Sequence, residues 1–191
     1  MKKFLYLKQE SFADTWVHGG VVPLYKASTY RKEDRTGIYT PDENQIDNST
    51  HSADAFGGRI RFGDNAQGHI GYIAGHGVAM FNVHLDRRIE DGILLCLSNR
   101  RSNFIAKKLE KLACVEIQDI DLLKNIIDEQ IGQVGVMGHC KYTSGHKRNH
   151  FLKSNLDAWQ EEFRIFWKDI ENTEIEIPKG LAIRVPIRCR Y

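Results

Sequence analysis

Gln160 and Glu162 stand two residues apart in the run Trp159-Gln160-Glu161-Glu162-Phe163-Arg164-Ile165-Phe166-Trp167. Side chains alternate across a strand. As a strand, the run puts Gln160, Glu162 and Arg164 on one face and Trp159, Glu161, Phe163, Ile165 and Trp167 on the other. The second set reads as a core face. The first places an amide beside a carboxylate, and a carboxylate fixed in a cleft can stabilise a developing positive charge. The plain alternative is a half-solvated edge strand on which Glu162 pairs with Arg164, a contact of small energetic value.

Other constellations offer less. His139, Cys140, His146 and His150 lie close in sequence, but their spacing matches no common zinc pattern and the neighbouring lysines oppose a cation. No metal is expected there. Pro41-Asp42 with Glu116 and Gln118 imitates a metal-dependent nuclease core, which needs a proper carboxylate pair to hold magnesium. His18 before Gly19-Gly20 reads as a histidine in the last turn of a short helix. From Ile131 to Leu156 there is no acid, while Lys141, Lys147, Arg148 and Lys153 are basic. The end of the chain repeats the pattern with Arg184, Arg188 and Arg190. Such stretches suit an anionic partner, so a non-enzymatic RNA-binding module is a further reading.

These residues must be carried by a folded body. The chain of 191 residues is 41% apolar and 27% charged, which excludes disorder and suits a single domain over residues 1–191. Its longest apolar run, Ile93 to Leu97, is far short of the roughly 20 residues of a membrane span, so no membrane partner is expected. The opening Met1 to Lys8 lacks a signal-peptide core, and a cytoplasmic location is expected. Cys96, Cys114, Cys140 and Cys189 are widely spaced, which argues against a disulfide scaffold and for a reducing compartment.

The expected fold class is α+β, with helices early and in the middle and antiparallel strands late. Phe4 to Lys8 alternates as a strand with Leu5 and Leu7 inward. Ser11 is the expected cap of a helix in which Phe12 and Trp16 share a face. Val21 to Tyr25 is β-prone. Arg31 to Gly75 reads as a long irregular segment with short strands at Arg59–Phe62 and His69–Ala74. Then follow a strand at Ile93–Ser98, a helix at Phe104–Leu112 and a strand at Cys114–Gln118. The next helix, started by Asp119 or Asp121, buries Leu122, Leu123, Ile126 and Ile127. Strands are expected at Val134–Tyr142, Trp159–Trp167, Glu174–Ile177 and Leu181–Ile187.

A strand reading Gln-x-Glu-aromatic-Arg, late in an α+β chain of this size, resembles the catalytic strand of the ADP-ribosyltransferase superfamily. The order Ile93-Leu94-Leu95-Cys96-Leu97-Ser98, a helix, Cys114-Val115-Glu116-Ile117 and Phe151-Leu152-Lys153 ahead of Glu161-Glu162-Phe163-Arg164 is similar to small bacterial proteins of that fold. So are Tyr6-Leu7-Lys8, Val21-Val22-Pro23-Leu24, and Ala27-Ser28-Thr29-Tyr30 before Gly37-Ile38-Tyr39-Thr40-Pro41-Asp42-Glu43. Some of these relatives are phage-defence toxins, including one that ADP-ribosylates messenger RNA. The resemblance implies a split antiparallel sheet with flanking helices, NAD as substrate and a protein antitoxin. It makes Glu162 the catalytic carboxylate and Gln160 the residue that orients the acceptor. Glutamine there goes with an amide or nucleobase acceptor, so nucleic acid is expected, RNA before DNA; a protein side chain or plain NAD hydrolysis are the alternatives. Tyr6, Lys8, Ser28 and Tyr30 become NAD-pocket residues, and Lys141, Lys147, Arg148 and Lys153 the nucleic-acid contacts. In one respect the chain departs from the family: Tyr6 and Lys8 occupy the end of the first strand, where an arginine or histidine is usual.

Overall fold

The computed structural model describes residues 1–30, 48–52, 66–75, 78–87, 91–145 and 148–188. In chain order the elements are β1 (Lys3–Leu7), α1 (Glu10–His18), β2 (Gly20–Leu24), a 3-10 turn (Ala27–Tyr30), β3 (Asn48–Ser52), β4 (Ala66–Gly75) and β5 (Val78–Arg87). There follow β6 (Gly92–Ser98), α2 (Asn103–Lys108), β7 (Ala113–Ile117), α3 (Ile120–Ile131), β8 (Val136–His139), β9 (Lys141–Thr143) and β10 (Leu152–Ser154). A 3-10 helix (Asn155–Gln160), β11 (Glu162–Lys168), β12 (Thr173–Ile177) and β13 (Ala182–Arg184) complete the described chain. The fold is α+β and mostly antiparallel. Among the described residues no helix is long and apolar enough to cross a membrane.

Six strands form the central sheet in the order β13-β7-β1-β6-β11-β8. Alternation gives it two faces. Leu5, Leu95, Leu97, Val115, Ile117, Phe163, Ile165 and Trp167 line the first, in one apolar cluster with Ala13 and Trp16 of α1, Leu123 and Ile127 of α3, and Val22 and Ile175 of the β2–β12 pair. The second face carries Tyr6 and Cys114, packed against Ile105 and Ala106 of α2, with Trp159, Val185 and Ile187 beside them.

The pairing is uneven across the middle. β1 pairs with β7 from Lys3 to Leu7, and β11 pairs with β6 from Glu162 to Lys168. Between β1 and β6 the register holds only at Phe4 opposite Ser98. The sheet is thus two three-stranded halves joined at one residue pair. Further along β6, Tyr25 and Lys26 take up backbone positions instead: Leu94 N–H donates to the Tyr25 carbonyl at 3.3 Å, and Lys26 bridges Ile93.

Several expected boundaries shift for visible reasons. The run Trp159–Trp167 is not one strand: its first two residues end the 3-10 helix, and Glu161 adopts φ 45°, ψ 51° before β11 begins at Glu162. The expected helix Phe104–Leu112 stops at Lys108, because Glu110 turns left-handed (φ 54°) and the N–H groups of Glu110 and Lys111 bond back to Lys107 and Ala106. That is a Schellman closure without its usual glycine. α1 starts earlier than expected, after Gln9 and with no side-chain cap, and buries Ala13 with Trp16 while Phe12 is exposed. In α3 the side chain of Asp119 caps as expected, but Leu122 is exposed and Ile120 is buried in its place. The expected strand Leu181–Ile187 is ladder only over Ala182–Arg184, Pro186 lacking the donor to continue it. In the segment expected to be irregular lie β3 and β4, which flank the following β5 in a three-stranded sheet, and β4 contains the expected His69–Ala74. Arg59–Phe62 lies outside the described residues.

Candidate active site

Glu162 opens β11 opposite Ser98, which is itself opposite Phe4. Its place is therefore the single junction between the two halves of the sheet. Its backbone is fixed on the outer side: the carbonyl accepts from Cys140 N–H at 2.9 Å, and the N–H donates to Tyr142 Oη at 2.9 Å. Ser98 Oγ donates to the Gln160 carbonyl at 2.9 Å, and Asn99 Nδ2 donates to that of Glu161 at 2.8 Å. These bonds anchor the left-handed step at Glu161, which lifts Gln160 out of strand register.

The carboxylate meets two cations on one oxygen. Lys153 Nζ lies 3.0 Å and Arg164 Nη2 2.9 Å from Glu162 Oε2. Lys153 also donates to Gln160 Oε1 at 2.8 Å and lies 3.6 Å from Asp157 Oδ2. Gln160 Nε2 donates to Asp157 Oδ1 at 3.3 Å, and Arg164 Nη1 donates to the His150 carbonyl at 2.9 Å. The side chains of Lys153 and Arg164 are 2% and 1% exposed, that of Glu162 12%. Charges so buried persist only when paired and hydrogen-bonded. Lys153, Asp157, Gln160, Glu162 and Arg164 form such a network, and Glu162 is the member that reaches solvent. Nearby, burial pushes the Cys140 thiol and the Tyr142 phenol up to about 12, so both stay protonated at neutral pH.

Gln160 and Glu162 do converge, but not as expected. Gln160 is buried and spends its amide on Lys153 and Asp157, so it does not face an acceptor. The expected nucleic-acid contacts need a similar correction. Lys153 is buried in the network, and Arg148 is buried with Nη1 on the Gly145 carbonyl. Lys141 is exposed on β9, and Lys147 lies outside the described residues. The Glu162–Arg164 pair of the plain reading is present, but deep in the protein rather than on an exposed edge.

The four expected NAD-pocket residues are not gathered either. Tyr6 shares the second face with Glu162, yet its hydroxyl is committed: Oη donates to the Arg100 carbonyl at 2.9 Å and accepts from Ser102 N–H at 2.7 Å. It holds the turn into α2. Lys8 is exposed just past β1. Ser28 bonds Asp91 through both Oγ and its N–H. Asp91 precedes Gly92, which pairs with Lys168 at the far end of β11, so Ser28 is about 20 Å from Glu162 along the strand. Tyr30 ends the same turn as Ser28.

Tyr142 and Asp157 are site neighbours that the sequence did not single out, and Cys140 was weighed there only as a metal ligand. Only Asp157 left a signal, four residues after Lys153 and of opposite charge. Among the described residues no three His, Cys, Asp or Glu side chains converge as a metal site. Asp42 and His146 lie outside them, while Glu116 takes Lys2 at 2.7 Å and Gln118 at 3.0 Å. His150 stacks on Phe166 with ring centres 4.1 Å apart. Set against models of protein families, curated proteins and solved structures, the chain matches none.

Proposed function

We propose that this protein is a NAD-dependent ADP-ribosyltransferase whose acceptor is nucleic acid, RNA before DNA, built on the split-sheet arrangement of that superfamily. The observation that carries the reading is the place of Glu162: a rigidly held carboxylate that reaches solvent at the point where two sheet halves part. Breaking the nicotinamide–ribose bond of NAD leaves an oxocarbenium-like ribose, as glycoside cleavage does. A preorganised carboxylate stabilises that charge. Among the described residues, the contacts of the Glu162 carboxylate fall on Oε2. In the proposed mechanism Oε1 meets the ribose. Nicotinamide leaves with the bonding pair, the acceptor atom forms the new bond to the anomeric carbon, and the acceptor loses a proton.

Gln160 acts in this scheme as a positioning residue. Its amide fixes Lys153, and Lys153 fixes Glu162. Tyr6 and Lys8 follow the Phe4–Ser98 pair along the chain, where β1 and β6 no longer pair, and NAD would enter there. Ser28 and Tyr30 belong to the remote end of β6 and have no direct part. A toxin of this kind calls for a protein antitoxin.

The test is purified protein with labelled NAD, offered RNA, DNA and cell-extract protein separately, beside Glu162→Gln. Glutamine keeps the shape and can still accept from Lys153 and Arg164, so the variant should fold. Label on RNA, lost in Glu162→Gln with unfolding unchanged, is the expected result. Label on protein alone, or free ADP-ribose alone, shifts the reading to a protein transferase or a NAD hydrolase. No NAD consumption by the folded, partner-free protein overturns it.

A further inference from the structure

An acceptor strand needs a surface, and burial of Arg148 and Lys153 removes half of the group expected to supply it. A different basic surface stands beside Glu162. Residues 98–109 carry Arg100, Arg101, Lys107 and Lys108 and no acid. Arg100, Arg101 and Lys107 are exposed. The acid-free end of the chain joins them, since Arg188 N–H donates to Asn103 Oδ1 at 2.9 Å.

Two aromatic rings stand among these cations. Phe104, 58% exposed, meets Trp159 edge to face with ring centres 5.9 Å apart. Lys108 Nζ lies 4.1 Å from the Trp159 ring centre. The inward side of α2 fills its core cluster with Ile105 and Ala106, so packing does not account for Phe104. An exposed ring, Phe104, backed by the partly buried Trp159 and flanked by cations, suits single-stranded nucleic acid, where bases stack on rings and cations follow the phosphates. A duplex hides its base faces, so a stacking platform selects the unpaired strand. The surface also adjoins the site: Arg100 Nε takes Glu161 Oε1 at 2.8 Å, one residue from Glu162.

We infer that the α2 face, comprising Arg100, Arg101, Phe104, Lys107, Lys108 and Trp159, binds single-stranded nucleic acid and leads it to Glu162. The second half of that statement rests on the transferase reading; the first does not. Binding is therefore measured without NAD, by fluorescence anisotropy across a salt series. The probe is a labelled oligonucleotide of about 12 nucleotides, as RNA, as DNA and as each duplex. Both single strands should bind more tightly than either duplex, with affinity falling linearly in log salt. Phe104→Ala should lower affinity by about 5- to 150-fold and leave the salt slope alone. The double variant Arg101→Gln/Lys107→Gln should reduce the slope by about 1.4. Lys141→Gln should change neither, and all variants should unfold like the parent because their sites are exposed. Absence of single-strand binding at low salt, preference for duplex, indifference to the α2 variants, or weakening by Lys141→Gln alone would each overturn the inference. Binding without NAD transfer refutes only the transferase reading, and transfer without α2 dependence refutes only this one.

Discussion

One ammonium group, that of Lys153, touches Gln160, Asp157 and Glu162 inside the protein. Removing it would leave acceptors buried with too few donors. Lys153→Met should therefore cost about 3–5 kcal/mol, read as a lower urea midpoint, whereas Lys153→Arg should recover part of it. Burial also sets the behaviour of the thiols. Cys114 and Cys140 rise from 9.0 to about 12, and Tyr6 and Tyr142 from 10.0 to about 12. The unfolded chain loses these protons first, so the stability that goes with keeping them is complete below about pH 9 and lost as pH rises towards about 12. The urea midpoint should fall between about pH 8 and about pH 10.5. At the lower pH, peptide mapping after thiol alkylation should find Cys114 and Cys140 unmodified until the protein unfolds. At this scale the sequence spoke clearly for Glu162 and Arg164, whose alternation the strand keeps. It misplaced Gln160, which alternation put in the strand beside Glu162, because the left-handed step at Glu161 has no glycine to announce it.

Among the elements, β6 and β11 carry the site, and their alignment depends on one close approach. Gly92 has φ 153°, and a Cβ there would stand 2.1 Å from the Trp167 carbonyl oxygen. The neighbour is backbone and cannot move aside. Gly92→Ala should therefore destabilise by about 3 kcal/mol or more, checked by denaturant unfolding, and should loosen the β6–β11 register that sets Glu162 opposite Ser98. At the other end of Trp167, its indole N–H donates to Asp128 Oδ1 at 2.7 Å, tying α3 to β11. Asp128 also accepts from Gly135 N–H and pairs with Lys124. Burial alone would raise its carboxyl; the bonds from Lys124, Gly135 and Trp167 outweigh it and hold the group below its usual value. The strands of strong apolar alternation and the capped helix α3 were legible in the sequence, because each follows from local periodicity. The 3-10 helix before β11 was not, since its end is pinned by side chains from another strand end, Ser98 and Asn99, on the carbonyls of Gln160 and Glu161.

For the molecule as a whole, the near-separation of β13-β7-β1 from β6-β11-β8 is the feature with most bearing on function. A ligand lodged there binds only the folded chain. If NAD is that ligand, saturating NAD should raise the thermal midpoint, by about 2.7 kcal/mol of stability at a hundred times its dissociation constant, and nicotinamide-free ADP-ribose analogues should compete. A scan in which NAD shifts nothing would count against a NAD pocket at the split. By itself the sequence determined the α+β class, the core faces of β1 and β11, and the presence of a carboxylate beside an arginine on one strand face. These depend on periods of two and of 3.6 residues, which any short window contains. Only the tertiary structure decided that Ser28 lies a strand's length from Glu162, that Lys153 is an internal clamp, and that Trp159 stands against Phe104 and Lys108 of α2. Those outcomes depend on which distant segments share a face and which charges are cut off from water, and no local pattern encodes that.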